Sequence, residues 1–349
     1  MKRFALRAAA LTCLLATPLL AGCRLGGAVG RAASSLFHSP RPVKKLTNPI
    51  DKNARLAVLW VGHATALIQI DDKLSLTDPV FTGTVGQLSR RLVEPGFDPE
   101  NLPALDAVLI SHLHFDHLSL GSLSMIEPKV KMMLMPRTGV TYLTDFDFPV
   151  LELRTWQAYE KDGLRITATP VDHLGFRYGL DGDWMTEGFT GYVIEYHGLK
   201  VYFGGDTAYD QKLFVDTGQR FPDLDVALLP IGPIEPRDFM RRVHIDPAEA
   251  VQAFFDLGAK RMVPVHYDTF VNSTDEPGDA LRGLEAARKR WELGKREIVP
   301  LAVGERRVFV RVGEGPAAAP AVKPSPPRGS PPTKPAPPKN DVPDDDKLD

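Results

Sequence analysis

The segment 111–117 reads Ser-His-Leu-His-Phe-Asp-His and carries three imidazoles and one carboxylate. Alternate side chains of an extended segment point the same way, so His112 and His114 can reach one metal ion while Leu113 and Phe115 face the core. A turn would bring the last two residues to a second position. Imidazole nitrogens and a carboxylate oxygen suit zinc. The spacing therefore predicts a metal site, because a histidine cluster without a metal has no need of it.

Three further potential ligands stand where predicted strands end. His173 comes shortly after the strand predicted for Leu164–Thr169, and His266 directly follows the strand predicted for Arg261–Val265. Asp206 follows Gly204-Gly205, a pair that allows the backbone to turn tightly at a strand end. Each residue alone is a weak signal. Together, in their order and their common position at strand ends, they resemble the metal ligands of a known enzyme family.

With these residues the sequence resembles the metallo-β-lactamase superfamily, whose HxHxDH signature is matched in full by segment 111–117. The resemblance implies an αββα sandwich of two mixed sheets flanked by helices. It also implies a dinuclear centre, most consistent with zinc, with manganese or iron as other possible metals. A hydroxide bridging the two ions would attack an ester-type bond. One metal would be bound by His112, His114 and His173, the other by Asp116, His117 and His266, with Asp206 between them.

Three more segments narrow the resemblance to the branch that holds N-acyl-phosphatidylethanolamine phospholipase D and ascorbate-6-phosphate lactonase. They are segments 60–65, 77–81 and 244–250, and the resemblance spans residues 55 to 275. Two departures lie beside the expected metals. The last histidine is followed by Tyr-Asp-Thr-Phe instead of Trp-Gly-Thr-Phe, and Leu174–Arg177 stands where a tryptophan is often found. Both departures lie where a substrate would be contacted, so they weaken the inference of the family members' substrates for this chain.

The candidate catalytic residues are Asp116, His63 and His244. His63 stands in a turn between two predicted strands and can line the site or bond to a carboxylate that surrounds the metals. His244 precedes a predicted helix and can polarise a phosphoryl or carbonyl oxygen or act as a general acid. No Gly-x-Ser-x-Gly motif supplies a competing nucleophile.

The sequence favours hydrolysis of a phosphodiester or a phospholipid of the N-acyl phosphatidylethanolamine kind. A lactonase, or a hydrolase of acyl esters or thioesters, would use the same metals with a different pocket lining. A non-catalytic envelope lipoprotein that keeps the fold is a third possibility, although every ligand position is filled. Nucleic acid is not expected as a partner, because the formal net charge is −2 and no basic stripe interleaved with aromatic residues is visible.

The elements that must hold these residues alternate along the chain, which indicates a layered α/β domain. Helical patterns cover Pro247–Leu257 and Pro277–Trp291. The predicted strands are Leu56–Val61, Ala64–Ile70, Lys73–Thr77, Ala107–Ile110, Leu164–Thr169, Gly191–Tyr196, Lys200–Phe203, Val226–Pro230, Arg261–Val265 and Arg307–Val312.

The two ends of the chain differ in composition from its middle. Residues 1–22 resemble a lipoprotein signal peptide that ends in Leu-Ala-Gly before Cys23, so we expect Cys23 to be acylated. Residues 23–50 are expected to be the lipidated cysteine and a tether, residues 51–313 the domain, and residues 314–349 a disordered proline-rich tail. This predicts a bacterial envelope protein, and Arg24 after the cysteine favours the outer membrane, facing the periplasm.

Overall fold

The computed structural model describes residues 30–85, 89–178, 181 and 186–315. The helices are α1 (residues 30–35), α2 (Leu120–Ile126), α3 (Gln211–Arg220), α4 (Arg237–Met240), α5 (Pro247–Asp256) and α6 (Asp279–Arg288). The strands are β1 (Ala54–Gly62), β2 (Thr65–Ile70), β3 (Lys73–Thr77), β4 (Thr84–Val85), β5 (Ser89–Arg90), β6 (Ala107–Leu109), β7 (Met133–Pro136), β8 (Val150–Leu153), β9 (Ala158–Lys161), β10 (Leu164–Thr169), β11 (Gly191–Tyr196), β12 (Leu199–Phe203), β13 (Val226–Pro230), β14 (Arg261–Val265), β15 (Glu297–Ile298) and β16 (Arg306–Arg311).

The predicted strands agree closely with these bounds. Strands β3, β10, β11, β13 and β14 begin and end at the predicted residues, and the other predicted strands differ by one or two residues at an end. Helix α6 is shorter than its pattern suggested because Gly278, in the left-handed region at φ 88°, directly precedes it. Strands β7 to β9 and helices α2 and α3 were not predicted.

Two seven-stranded mixed sheets form the middle of the domain, in the orders β16-β1-β2-β3-β6-β7-β8 and β15-β14-β13-β12-β11-β10-β9. Strand β1 is buried on both faces because its side chains alternate between two cores. Leu56 and Val58 belong to a core shared with the second sheet and with α5 and α6. Leu59 and Val61 belong to a core shared with α2. The architecture is the expected αββα sandwich.

Both sheets contain a run of parallel strands, and the ends of these strands carry the chemistry. Strand β3 pairs in parallel with β6, and β12, β13 and β14 are parallel to one another. The carboxyl ends of parallel strands meet at one edge of a sheet, where open α/β folds bind their ligands. Asp78 follows β3, His112 lies just beyond β6, Asp206 lies beyond β12, and His266 follows β14. The topology therefore gathers residues that are up to 188 positions apart in the sequence.

The region predicted as a tether is bound to the domain from residue 30 onward. Arg31 in α1 donates to the carbonyl oxygens of Thr274 and Asp275 at 3.0 and 3.2 Å. The Ser35 hydroxyl accepts from the Arg90 amide at 2.9 Å. Residues 30–50 therefore form part of the domain's edge, because polar groups of this segment are hydrogen-bonded to the domain. The signal peptide, Cys23 and nearly all of the proline-rich tail lie outside the described residues, so those predictions stay predictions. Within the described part of the chain, no helix is long and apolar enough to span a membrane.

Candidate metal centre

The HxHxDH segment begins as an extension of β6 and then turns. His112 makes an isolated bridge to Phe189, and the His117 amide donates to the His114 carbonyl at 3.1 Å. Leu113 is fully buried as expected. Phe115 differs from the prediction, since it is only half-buried and its ring faces the guanidinium of Arg177 at 4.2 Å. The turn that brings the end of the segment towards the metals also rotates Phe115 out of the core.

The structure brings the predicted ligands into two adjoining groups. One group is formed by His112, His114 and His173, and their donor atoms lie within 4.8 Å of one another. The other group meets the same limit and is formed by His63, Asp116, His117 and His266. Asp206 lies against both groups, because its Oδ2 is 3.1 Å from His266 Nε2 and 3.9 Å from His112 Nε2.

The backbone at Asp206 depends on the glycine before it. Gly205 has φ 59°, and a Cβ at that position would lie 2.4 Å from the Cβ of Ser111. Only a residue without a side chain can bring these two loops so close together. The second of the paired glycines is therefore explained by the approach of the Asp206 loop to the HxHxDH segment.

Three of the ligand histidines are oriented by a bond to the outer ring nitrogen. His173 Nδ1 donates to the Val243 carbonyl at 2.8 Å, and His266 Nδ1 donates to the Gly232 carbonyl at 3.0 Å. His117 Nδ1 lies 2.7 Å from Asp78 Oδ2. An imidazole that donates from one nitrogen presents a lone pair on the other, as metal-bound histidines do. The three Nε2 atoms are thereby prepared as ligand atoms.

The ring nitrogens and carboxylate oxygens that face the centre lie close together, an arrangement that bound cations would stabilise. His117 Nε2 and His266 Nε2 are 3.1 Å apart. His173 Nε2 and Asp206 Oδ1 are buried and have no hydrogen-bond partner among the described residues. Buried polar atoms are normally paired, so such a cluster needs an explanation. Divalent metal ions fit this donor set of imidazoles and carboxylates.

The pKa shifts of His117, His266 and Asp206 in the metal-free chain also favour a positive charge at this centre. Burial disfavours the charged form of His117, but the nearby carboxylates, foremost that of Asp206, outweigh it and raise the pKa well above its usual value. The same balance raises the pKa of His266 to about 9. The pKa of Asp206 falls well below its usual value, because the charges of His266 and His117 outweigh the effect of burial. Positive charge is favoured at this position, and metal ions would supply it.

His63 lies behind Asp116 in the turn between β1 and β2. Its Nε2 is 3.0 Å from Asp116 Oδ2, and burial, assisted by His266, lowers its pKa to about 3. A neutral ring can donate this one hydrogen bond and so fix the carboxylate. His63 has φ 55°, which an ordinary residue adopts only when its surroundings hold it. Those surroundings include the Thr269 hydroxyl, which accepts from the His63 amide at 2.8 Å.

His244 lies on the other side of Asp206, after α4. Its ring centre is 5.2 Å from that of His173, and its Nδ1 is 3.6 Å from Asp206 Oδ2. Nδ1 is buried without a hydrogen-bond partner within the described part of the chain. Burial lowers the pKa of His244 to about 4. The ring is therefore neutral at neutral pH and suited to polarising an oxygen rather than to giving up a proton.

Asp78 is a functional residue that was not among the predicted site residues. It is fully buried, and its carboxylate accepts from the Ser111 amide and hydroxyl, both at 2.6 Å, besides contacting His117. A carboxylate that orients a metal-binding imidazole fixes its tautomer and raises its basicity. A signal existed in the sequence, since Asp78 directly follows a predicted strand in segment 77–81.

Apolar side chains surround the approach to the first ligand group. The ring of Phe176 is 5.2 Å from that of His114, and the ring of Tyr178 is 5.6 Å from that of Phe115. Tyr178 is 63% exposed, and Leu174, directly after His173, is 37% exposed. Large exposed apolar residues grouped near a polar site are typical of a surface that binds an apolar ligand.

Comparison with known proteins agrees with this geometry. A profile of the beta-lactamase superfamily domain matches residues 75–267. The chain is 31% identical over 295 residues to N-acyl-phosphatidylethanolamine-hydrolyzing phospholipase D 1 of Caenorhabditis elegans, covering 77% of this chain and 81% of that protein. It is 28% identical to a metal-dependent hydrolase of Thermococcus onnurineus, covering 71% of this chain and 97% of that protein. Among solved structures, a metallo hydrolase of Ignicoccus hospitalis superposes with a TM-score of 0.55 at 23% identity, covering 72% of this chain and 97% of the other.

Proposed function

This chain belongs to the metallo-β-lactamase superfamily and is a metal-dependent hydrolase of that fold, and we propose that it uses two divalent ions, zinc first among them, to cleave a phosphodiester bond of a phospholipid. One observation carries the proposal of two ions: two adjoining groups of donor atoms share Asp206. A single ion cannot reach both groups with ordinary ligand distances of about 2.0–2.2 Å.

The chain's own residues contribute position and charge to the reaction. Two divalent ions, when bound, lower the pKa of water and stabilise negative charge that develops on a substrate. His112, His114 and His173 would hold one ion, and Asp116, His117 and His266 the other, with Asp206 shared. Asp78 keeps His117 in the tautomer that binds metal, and His63 fixes the carboxylate of Asp116.

We assign His244 to the substrate. Its ring lies beside both Asp206 and His173, so it stands next to groups that would hold the metals at which a substrate reacts. A neutral imidazole there can donate a hydrogen bond to a phosphoryl oxygen as negative charge develops on it. The lowered pKa speaks against a role as general acid.

The choice of a phospholipid rests on two observations. The relative from Caenorhabditis elegans bears the name of a phospholipase that acts on N-acyl phosphatidylethanolamine, and it resembles this chain over most of both lengths. In addition, the exposed aromatic residues beside the first ligand group suit the apolar part of an amphiphile. A small polar substrate would have no use for such a surface.

The proposal is tested by metal analysis and hydrolysis with the chain from residue 24 onward. We expect about two metal ions per chain, hydrolysis of bis-p-nitrophenyl phosphate, and release of phosphatidic acid from N-acyl phosphatidylethanolamine in mixed micelles. Removal of metal with a chelator should abolish both activities, and zinc should restore them. If the folded protein bound no metal after zinc reconstitution, the proposal of a two-metal hydrolase would be contradicted.

Control variants test the role of His244, and alternative substrates test the proposed phospholipase activity. His244→Ala should lower kcat for the lipid by about 10²-fold, whereas His197→Ala, an exposed histidine paired with Asp71, should not change it. Equal rates for the two variants would remove His244 from the substrate site. Two bound metals with cleavage of a lactone or an acyl ester, and none of either phosphodiester, would replace the phospholipase by the lactonase or esterase alternative.

We also propose that the enzyme is attached to the bacterial envelope through a lipid on Cys23. The proposal is supported by the Leu-Ala-Gly-Cys sequence at positions 20–23. Expressed in a bacterium with an alkyne-labelled fatty acid, the full chain should carry the label and sediment with membranes, most of it with the outer membrane. Cys23→Ser should lose the label, with Cys13→Ser as the matched control. Labelling that survives in Cys23→Ser would refute the assignment.

A further inference from the structure

Two buried arginines flank the metal centre. Arg91 is 2% exposed and Arg177 is 6% exposed, and each places its guanidinium over a phenylalanine ring. Within the described part of the chain, both donate to main-chain carbonyl groups. Burial lowers the pKa of Arg91 to about 9 and also lowers that of Arg177. Burying a guanidinium group costs desolvation free energy. The burial of these two arginines therefore calls for a structural or functional reason.

Arg177 joins two loops that carry ligands. It lies four residues after His173 and donates from Nη1 to the carbonyl oxygens of Leu113 and Leu118, at 2.7 and 2.9 Å. These two carbonyl groups stand at the beginning and the end of the turn that carries His114. One guanidinium therefore sets the distance between the His173 loop and the HxHxDH segment. The ends of that segment are also held by β6 and α2, and the His173 loop is also held by the bond from His173 Nδ1 to the Val243 carbonyl.

Arg91 makes the corresponding connection on the other flank. Its Nε donates to the Thr82 carbonyl at 3.0 Å and its Nη2 to the Val80 carbonyl, so it holds the loop that follows Asp78. Its guanidinium lies 4.8 Å from the ring of Phe270, whose edge meets the ring of His63 at 5.2 Å. The groups connected in this way are those that orient the second ligand group.

We propose that Arg177 and Arg91 are positioning residues that each set the geometry of one metal position. Arg177 acts on the position of His112, His114 and His173. Arg91 acts on the position of Asp116, His117 and His266 through the loops around Asp78 and Phe270. The inference rests on the proposed two-metal centre and adds to it two residues that touch neither metal nor substrate. A planar guanidinium suits this role because it can bond two carbonyl groups and stack on a ring at once.

The test compares lysine substitutions in the chain from residue 24 onward. Arg177→Lys and Arg91→Lys keep the charge but lose the planar fork. Arg220→Lys is the control, because Arg220, although exposed, also stacks on an aromatic ring, that of Trp156 at 4.3 Å, and Trp156 lies outside the ligand loops. The metal-free proteins are titrated with Co²⁺ against a competing chelator, and the absorption bands are assigned to the two positions with His173→Ala and His266→Ala.

Arg177→Lys should weaken by about 10–100-fold the position that His173→Ala removes, and Arg91→Lys the position that His266→Ala removes. The other position in each variant should stay within about threefold of Arg220→Lys. Affinities unchanged at both positions would overturn the proposal. So would an equal loss at both positions together with a lower melting temperature of the metal-free chain, since that is the result of general destabilisation.

Two further variants test the proposal if Arg177→Lys or Arg91→Lys does not fold. Phe115→Leu and Phe270→Leu remove the ring beneath each arginine while leaving its hydrogen bonds in place. They should weaken the same positions in the same pattern by a smaller factor. If the wild-type chain itself binds fewer than two metal ions, the proposed function fails. If it binds two and the pattern is absent, only the role of the arginines fails.

Discussion

Replacing Asp206 by alanine is expected to lower kcat/KM for a phosphodiester by at least about 10³-fold, since removing a single electrostatic stabiliser already costs about 10²–10³. Asp206 Oδ2 lies 3.3 Å from His117 Nε2 and 3.1 Å from His266 Nε2, and its Oδ1 is buried. The variant loses the carboxylate shared by the two ligand groups. It should therefore bind metal less tightly at both positions.

Metal content and kinetics measured on the same samples check this prediction. Asp206→Asn should lose activity in the same direction, because it keeps the shape but not the charge. Asp216→Asn is the control, since Asp216 is a partly exposed carboxylate that pairs with Lys212 on α3. An Asp206→Ala variant that retains two metals and more than about a tenth of the activity would show that the carboxylate is not shared by the ions.

Replacing Asp78 by asparagine should weaken the second metal position by about 10–100-fold. The carboxylate accepts three hydrogen bonds, from the Ser111 amide, the Ser111 hydroxyl and His117 Nδ1. An amide has only one oxygen, so its NH₂ group must face another donor. If it faces His117, the ring proton moves to Nε2, which then has no lone pair for a metal. If it faces Ser111, the loop must shift.

Chelator competition with the metal-free and reloaded protein measures this loss. Asp106→Asn is a suitable control, because Asp106 also caps a strand, accepting from the Leu74 amide at 2.9 Å, but lies away from the centre. Both variants should be destabilised slightly, whereas only Asp78→Asn should lose metal affinity. Equal metal affinities in the two variants would reduce Asp78 to a structural residue.

The agreement between prediction and structure is closest where the relevant information is local. Strands β10, β11, β13 and β14 have largely alternating or continuous apolar runs bounded by turn residues, so their bounds could be predicted to the residue. Strand β9, which reads Ala-Tyr-Glu-Lys, and helix α3, which is mostly polar, offer no such pattern. These elements form because neighbouring strands and α5 provide partners for them.

The sequence by itself predicted most of the side chains that the structure brings together as possible metal donors. A metal centre is predicted by residues 111–117 together with His173, Asp206 and His266. Imidazoles and carboxylates grouped at strand ends are typical metal ligands. Side-chain chemistry and strand ends are local properties, so neither needs the fold to be known. His63 and His244 could also be named from the sequence, and bonding to a carboxylate was one of the two roles expected for His63.

Only the tertiary structure decided how these donors are held. The Val243 and Gly232 carbonyl groups orient two of the ligand histidines, and every residue of a chain carries such a group, so no sequence pattern marks them. Asp78, Arg91 and Arg177 act on ligands that come from other strands and loops. Their roles depend on distances between segments that the fold alone brings together, because a hydrogen bond requires its two atoms to meet within about 3 Å.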